Sequence, residues 1–152
     1  MVALGLLIGF ASLALVPGVV KRVPAGQVHS LYRLGKPRRL LPSGMHVVLP
    51  GVDRIAHRID LAGQVLRFNE PVPGHAEVHG TVYWQVLEPE RADAVIDQAA
   101  QLIRCGTLDA LRAEPDADRV DCRDLGGRLK QALNGALRER GMMVTRVELD
   151  FA

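Results

Sequence analysis

Polar and apolar side chains alternate along residues 27–33, 54–61 and 77–86, which is the period-two pattern of β-strands. The alternation is clearest in the third segment, where one face carries only apolar side chains and a glycine: Val78, Gly80, Val82, Trp84 and Val86. Turn signals at Gly35 and in residues 42–44 and 50–51 separate these segments. The pattern predicts a largely antiparallel sheet of short strands.

Helical spacing replaces this alternation after Pro89, a residue suited to the first turn of a helix. One apolar stripe follows: Ala92, Val95, Ile96, Ala99, Leu102 and Ile103. Gly106 and Thr107 predict the end of this helix and the start of a short one that runs to Ala113. A later helix carries the apolar face Leu125, Leu129, Ala132, Leu133, Ala136 and Leu137, and Gly141 is predicted to cap it.

Alternation returns at the carboxy terminus and predicts a last strand. One face of this strand carries Thr145, Val147, Leu149 and Phe151. Strands, then helices, then a strand predict an α+β domain in which two or three helices pack on a largely antiparallel sheet. We expect this domain to cover residues 21–152.

The first 20 residues contain no charged side chain. A helix of that length spans roughly 30 Å, the thickness of a bilayer core, and predicts a transmembrane anchor. Its lipid-facing side chains would be Leu4, Leu6, Leu7, Ile8, Phe10, Leu13, Leu15 and Val16. The alternatives are a cleaved signal peptide, disfavoured by the missing basic residue before the run, and a buried helix, disfavoured by the missing polar face.

Basic side chains follow this run directly, with six Lys and Arg residues and no acidic residue between positions 21 and 39. The positive-inside rule therefore predicts a cytoplasmic domain. Lys21 and Arg22 are predicted to contact lipid headgroups, although a solvated basic face gives the same pattern. The net charge of only +2 does not indicate a nucleic-acid partner.

Motifs for catalysis or cofactor binding are not evident in the sequence. His75 and His79 have the spacing of helical metal ligands, but on an extended chain four residues span roughly 13 Å. We expect Cys105 and Cys122 to be buried small side chains, with a disulfide or a reactive thiol as the alternative. The prediction is no enzyme activity, no cofactor and no metal.

Five segments, in order, resemble the SPFH (band 7) domain of stomatins and prohibitins. They are VPAGQV at 23–28, RLGK at 33–36, GMH with LPGVDR at 44–54, VYWQV with Glu88-Pro89 at 82–89, and GMMV with VEL at 141–149. The matching residues are Pro24, Gly26, Arg33, Gly35, Lys36, Gly44, His46, Pro50, Asp53, Tyr83 and Pro89. Ser43 departs from the family, which has proline there, and the loop at residues 71–75 is shorter.

This resemblance implies a transmembrane helix followed by an SPFH-type domain, in a single-pass protein of the cell inner membrane. The implied function is a scaffold that binds membrane lipids, self-associates, and organises microdomains or modulates a membrane protease or other membrane partner. The sequence has no sustained heptad repeat, so we expect weak homo-oligomers rather than large rings. The alternative function is a secreted or periplasmic α+β binding module with a cleaved signal peptide.

Overall fold

The computed structural model describes residues 19–71, 77–114 and 120–151. The chain divides into two compact units, one that ends at Ile59 and one that begins at Asp60. We call them the amino-terminal unit and the carboxy-terminal unit.

The described residues of the amino-terminal unit form the strands β1 (Val20–Val23), β2 (Gln27–Arg33), β3 (Lys36–Leu41), β4 (Gly44–Val47) and β5 (Asp53–Asp60), and the last residue of β5 belongs to the carboxy-terminal unit. β1 and β4 form an antiparallel pair, and the other three form a sheet in the order β3-β2-β5. Val23, Leu31, Leu41 and Val48 form its buried apolar cluster. Four consecutive residues of β2 are buried, because β2 is the central strand of its sheet.

The carboxy-terminal unit contains an antiparallel sheet in the order β6-β7-β8, from Gln64–Glu70, Val78–Val86 and Met142–Phe151. Its α-helices are α1 (Pro89–Ala92), α2 (Ala99–Ala113) and α3 (Cys122–Leu137), with 3₁₀ turns at Ile96–Gln98 and Arg138–Arg140. The predicted inward face of β7 is confirmed, since all five of its residues are buried. β6 was not predicted. Its Phe68 is buried opposite Gly80, where the absent Cβ leaves room for the aromatic ring.

The predicted helix break at Gly106 and Thr107 is wrong, because α2 runs through both residues. A Cβ on Gly106 would lie 2.9 Å from the Leu133 side chain, so this glycine permits close packing of α2 on α3. The Thr107 hydroxyl donates to the carbonyl of Ile103 at 2.7 Å and is thereby satisfied inside the helix.

The predicted apolar faces of α3 and β8 need smaller corrections. The four leucines of α3 are buried, but Ala132 and Ala136 are exposed. In β8 a bulge at Thr145 reverses the alternation, so Thr145 is exposed while Val144 and Val147 are both buried. Gly141 has the predicted left-handed conformation, with φ of 71°.

The predicted fold class is wrong in its first element, although the α+β class and the mostly antiparallel sheets are confirmed. None of the helices in residues 19–71, 77–114 and 120–151 is long and apolar enough to cross a membrane. Val20, the predicted last residue of the anchor, instead begins β1, where its partner is Val47. The eight predicted lipid-facing residues between Leu4 and Val16 lie outside the described residues.

Candidate functional site

Charge is divided unevenly between the two units. Residues 1–59 contain eight Lys and Arg side chains and one acidic side chain, Asp53, which gives a formal charge of +7. Residues 60–152 contain 11 basic and 16 acidic side chains, which gives −5. The net charge of +2 therefore conceals a strongly basic amino-terminal unit, and such a local excess attracts anionic partners.

The single carboxylate of this basic unit is held by a bidentate ion pair. Arg33 Nε donates to Asp53 Oδ1 at 2.7 Å, and Arg33 Nη2 donates to Oδ2 at 3.2 Å. The backbone N–H of Leu49 donates to Oδ2 at 3.1 Å. The Asp53 side chain is 2% exposed, so these donors replace its water. The pair ties the loop between β4 and β5 to strand β2.

Electrostatics keep Asp53 ionised. The hydrogen bond from Arg33 lowers the pKa of the Asp53 carboxyl below its usual 3.8, and the Leu49 N–H and the Arg39 charge act in the same direction. The same pair raises the pKa of the Arg33 guanidinium. Arg33 therefore neutralises Asp53, and the remaining cations of the unit have no other acidic side chain within residues 1–59.

Beside this ion pair lies a pocket of about 360 Å³, which we call the arginine groove. Its lining combines apolar and charged side chains: Leu31, Arg33, Arg38, Arg39, Val47, Leu49 and Asp53. Three arginines and one aspartate give this lining a net charge of +2. In the β2–β3 ladder Arg39 lies opposite Leu31, which places a cation next to the buried cluster.

Large apolar side chains are exposed around the groove. Val47 and Leu49, at its rim, are 55% and 46% exposed. In the same unit, Leu34 is 84% exposed at the β2–β3 turn and Met45 is 73% exposed on β4. Val52 is also exposed. Exposed apolar side chains beside cations are typical of a surface that contacts membranes or amphiphiles.

The predicted headgroup residues Lys21 and Arg22 are both exposed on β1, but on opposite faces of the β1–β4 pair. Arg22 lies opposite Met45 and Lys21 lies opposite His46, and opposed residues share a face. His46 Nε2 lies 2.7 Å from the carbonyl oxygen of Pro42. Only Arg22 is therefore on the face that carries exposed Met45.

The remaining motif residues mostly build turns. Gly26, Gly35 and Gly44 have positive φ angles of 80°, 77° and 137°. The Pro24 carbonyl accepts a hydrogen bond from the Gln27 N–H in the β1–β2 turn, and Pro50 lies in the β4–β5 turn. Lys36 lies opposite Arg33 in the backbone ladder of the β2–β3 hairpin. In the other unit, Tyr83 donates to Glu148 at 3.2 Å and Pro89 begins α1. Of the motif residues, the structure brings Arg33 and Asp53 together as an ion pair.

In the sequence, Val47 and Leu49 belong to a short apolar run at residues 45–49, and Arg38 and Arg39 belong to the basic segment. That the apolar pair and the basic pair lie in one site follows only from the tertiary structure, because the β4–β5 loop must fold onto β2 and β3. Neither cysteine is fully buried, contrary to the prediction: Cys105 is exposed, Cys122 is half-buried, and both are free thiols.

Groups of metal-ligating side chains are not found among the residues that the structure describes. His57 lies edge-on to Tyr32, with ring centroids 5.7 Å apart, and His79 lies on β7. His75 lies outside the described ranges. No protein-family model matches the sequence.

Proposed function

We propose that this chain is a non-enzymatic scaffold domain, similar to the SPFH domains of stomatins and prohibitins, that binds an anionic membrane surface and self-associates there. The observation that carries the proposal is the combination of a +7 charge with exposed Leu34, Met45, Val47 and Leu49 in one unit. The five ordered segments that resemble the SPFH domain support the same function. The cytoplasmic face of an inner membrane is the proposed location.

Two forces act together in this proposal. Each Lys or Arg near an anionic leaflet contributes about 1 kcal/mol, an attraction that fades within a Debye length of about 8 Å in physiological salt. Burial of exposed apolar side chains at the headgroup boundary adds about 25 cal/mol per Å². Stable peripheral binding generally needs two such signals. The amino-terminal unit supplies both.

Self-association follows from confinement on a surface, which raises the effective concentration of the chains. Strand β6 lies at one edge of its sheet and offers backbone groups for pairing. The −5 charge of the carboxy-terminal unit also complements the +7 charge of the amino-terminal unit of a second copy. In this role the assembled chains organise lipids into microdomains or modulate a membrane protease or another membrane protein.

Flotation of the full-length chain with vesicles tests the membrane function. We expect binding to vesicles that contain phosphatidylglycerol, weaker binding to pure phosphatidylcholine, and a loss of binding in high salt. The variant Arg22→Glu with Lys36→Glu should reduce binding. Its control is Arg138→Glu with Arg140→Glu, which makes the same charge change on exposed residues of the other unit. Equal binding to both vesicle types, or equal losses in the two variants, would contradict the proposal.

Chemical crosslinking on and off the vesicles tests self-association. We expect dimers and higher oligomers on vesicles that contain phosphatidylglycerol and mainly monomers in solution. Monomers in both conditions would remove the scaffold part of the proposal and leave membrane binding intact.

A further inference from the structure

We propose that the arginine groove is a specific site for the phosphate headgroup of an anionic lipid, with Arg38 and Arg39 binding the phosphate and Val47 and Leu49 contacting the apolar part. This inference rests on the proposed membrane function and deepens it. A specific site in the groove differs from general attraction of anionic lipid to the whole basic unit, because particular side chains bind the headgroup.

The first argument concerns which cations are free to bind a ligand. Arg33 uses Nε and Nη2 to bind Asp53, and Asp53 also accepts from the Leu49 N–H. Arg38 and Arg39 are exposed, and the ion pairs seen across the described ranges involve neither. Each guanidinium presents five N–H donors in a planar fork that matches a phosphate. Two adjacent forks therefore face one pocket, and the carboxylate in its lining, Asp53, is already bound by Arg33.

The second argument concerns the other wall of the groove. Leu31, Val47 and Leu49 supply an apolar lining, and Leu31 is buried in the core cluster. The lining contains no aromatic side chain on which a nucleotide base would stack. About 360 Å³ is within the range of ligand sites and accommodates a headgroup with the start of an acyl chain. A cationic end and an apolar wall fit an amphiphile better than inorganic phosphate.

The third argument is that the two walls are held together before a ligand binds. Asp53 N–H donates to the Leu49 carbonyl at 2.9 Å, and the Asp53 carboxylate accepts from the Leu49 N–H. The ion pair of Arg33 with Asp53 then joins this turn to β2, near Leu31 and near Arg39, which lies opposite Leu31 in the β2–β3 ladder. Arg33 and Asp53 are therefore positioning residues, which fix the distance between the apolar rim and the two cations.

Isothermal titration of the full chain with dihexanoyl phosphatidate, a soluble short-chain lipid, tests the site. We expect Arg38→Gln with Arg39→Gln to weaken this binding by at least about tenfold, since two charge-assisted interactions are lost. The matched control is Arg54→Gln with Arg58→Gln, which removes the same charge from exposed residues of β5 outside the groove and should leave the affinity unchanged. Inorganic phosphate should bind at least about tenfold more weakly than the lipid. Leu49→Ser should weaken the binding of the lipid and leave the binding of inorganic phosphate unchanged.

The outcomes separate this site from the wider function. The site would be overturned, and the membrane function kept, if the wild-type chain floats with vesicles but the two double arginine variants lose equal affinity for the short-chain lipid. Equal affinities for inorganic phosphate and the lipid would overturn the lipid assignment. A wild-type chain that neither floats nor binds the lipid would overturn both proposals.

Discussion

The side-chain amide of Asn134 hydrogen-bonds both backbone groups of Val144. Asn134 Nδ2 donates to the Val144 carbonyl at 3.0 Å, and Oδ1 accepts from the Val144 N–H at 2.7 Å. Val144 lies on β8, an edge strand, so the amide occupies the place that a neighbouring strand would take. Asn134 is 8% exposed. Helix α3 therefore closes the edge of the sheet at this residue, which protects it from pairing with another chain.

Asn134→Ala should destabilise the carboxy-terminal unit. Loss of the amide leaves two polar backbone groups of Val144 without their partner, at a cost of about 1–3 kcal/mol for each group that stays buried. Urea unfolding followed by the fluorescence of Trp84, the only tryptophan, measures the change. Gln131→Ala, at an exposed position of the same helix, is the control and should change stability by less than about 0.5 kcal/mol. Equal midpoints for both variants would show that water replaces the amide.

Two neighbouring glycines of α3 should respond to alanine with opposite signs. A Cβ on Gly126 would lie 2.5 Å from the Val147 carbonyl oxygen, so Gly126→Ala forces helix and strand apart at a cost of about 1–3 kcal/mol. Apart from its chain neighbours and the nearby backbone of its own helix, no described atom lies within 4 Å of a Cβ on Gly127, so Gly127→Ala should gain up to about 1 kcal/mol of helix propensity. Thermal unfolding of both variants gives the test. A stabilised Gly126→Ala would mean that α3 does not pack closely on β8.

The Arg33–Asp53 pair should make the amino-terminal unit sensitive to acid. The folded-state pKa of Asp53 is lowered below 3.8, so its stabilising effect is complete above that pH and is lost as the pH falls toward the folded-state value. ¹³C NMR of the Asp53 carboxyl should show a midpoint below 3.8. Arg33→Gln should raise this midpoint more than Arg39→Gln, because Arg33 is the larger cause of the lowered pKa. An unchanged midpoint in Arg33→Gln would contradict the ion pair in solution.

His29 should contribute a second acid sensitivity at higher pH. It is 6% exposed, its Nδ1 has no hydrogen-bond partner among the described residues, and burial, Arg58 and His46 lower its pKa below 6.5. As the pH falls below 6.5, the unfolded chain binds a proton that the folded chain takes up less readily, so stability decreases. Hydrogen exchange of residues 27–41, compared at about pH 7.5 and 5.5, measures this. His29→Leu should remove most of the difference and Arg58→Gln part of it. The same difference in His29→Leu would exclude His29 as its cause.

The hydrophobic pattern of the sequence determined most of the secondary structure. The alternation of residues 78–86 predicted which face of β7 is buried, because successive side chains of a strand between two neighbours point to opposite faces of the sheet. Gly141 was predicted as a helix cap because it tolerates the left-handed conformation there. The resemblance of RLGK and LPGVDR to SPFH motifs marked Arg33 and Asp53 individually, without indicating that they pair.

Tertiary contacts decided the rest. Gly106 was predicted to end a helix, but the nearby Leu133 side chain gives it a packing role that no local pattern reveals. The bulge at Thr145 moved Val144 and Val147 to the same side, and only the pairing with Tyr83 and Trp84 fixes its position. The arginine groove depends on residues 31 and 53 meeting across the fold. Local sequence determines backbone periodicity, whereas the partners of a side chain depend on how distant segments pack.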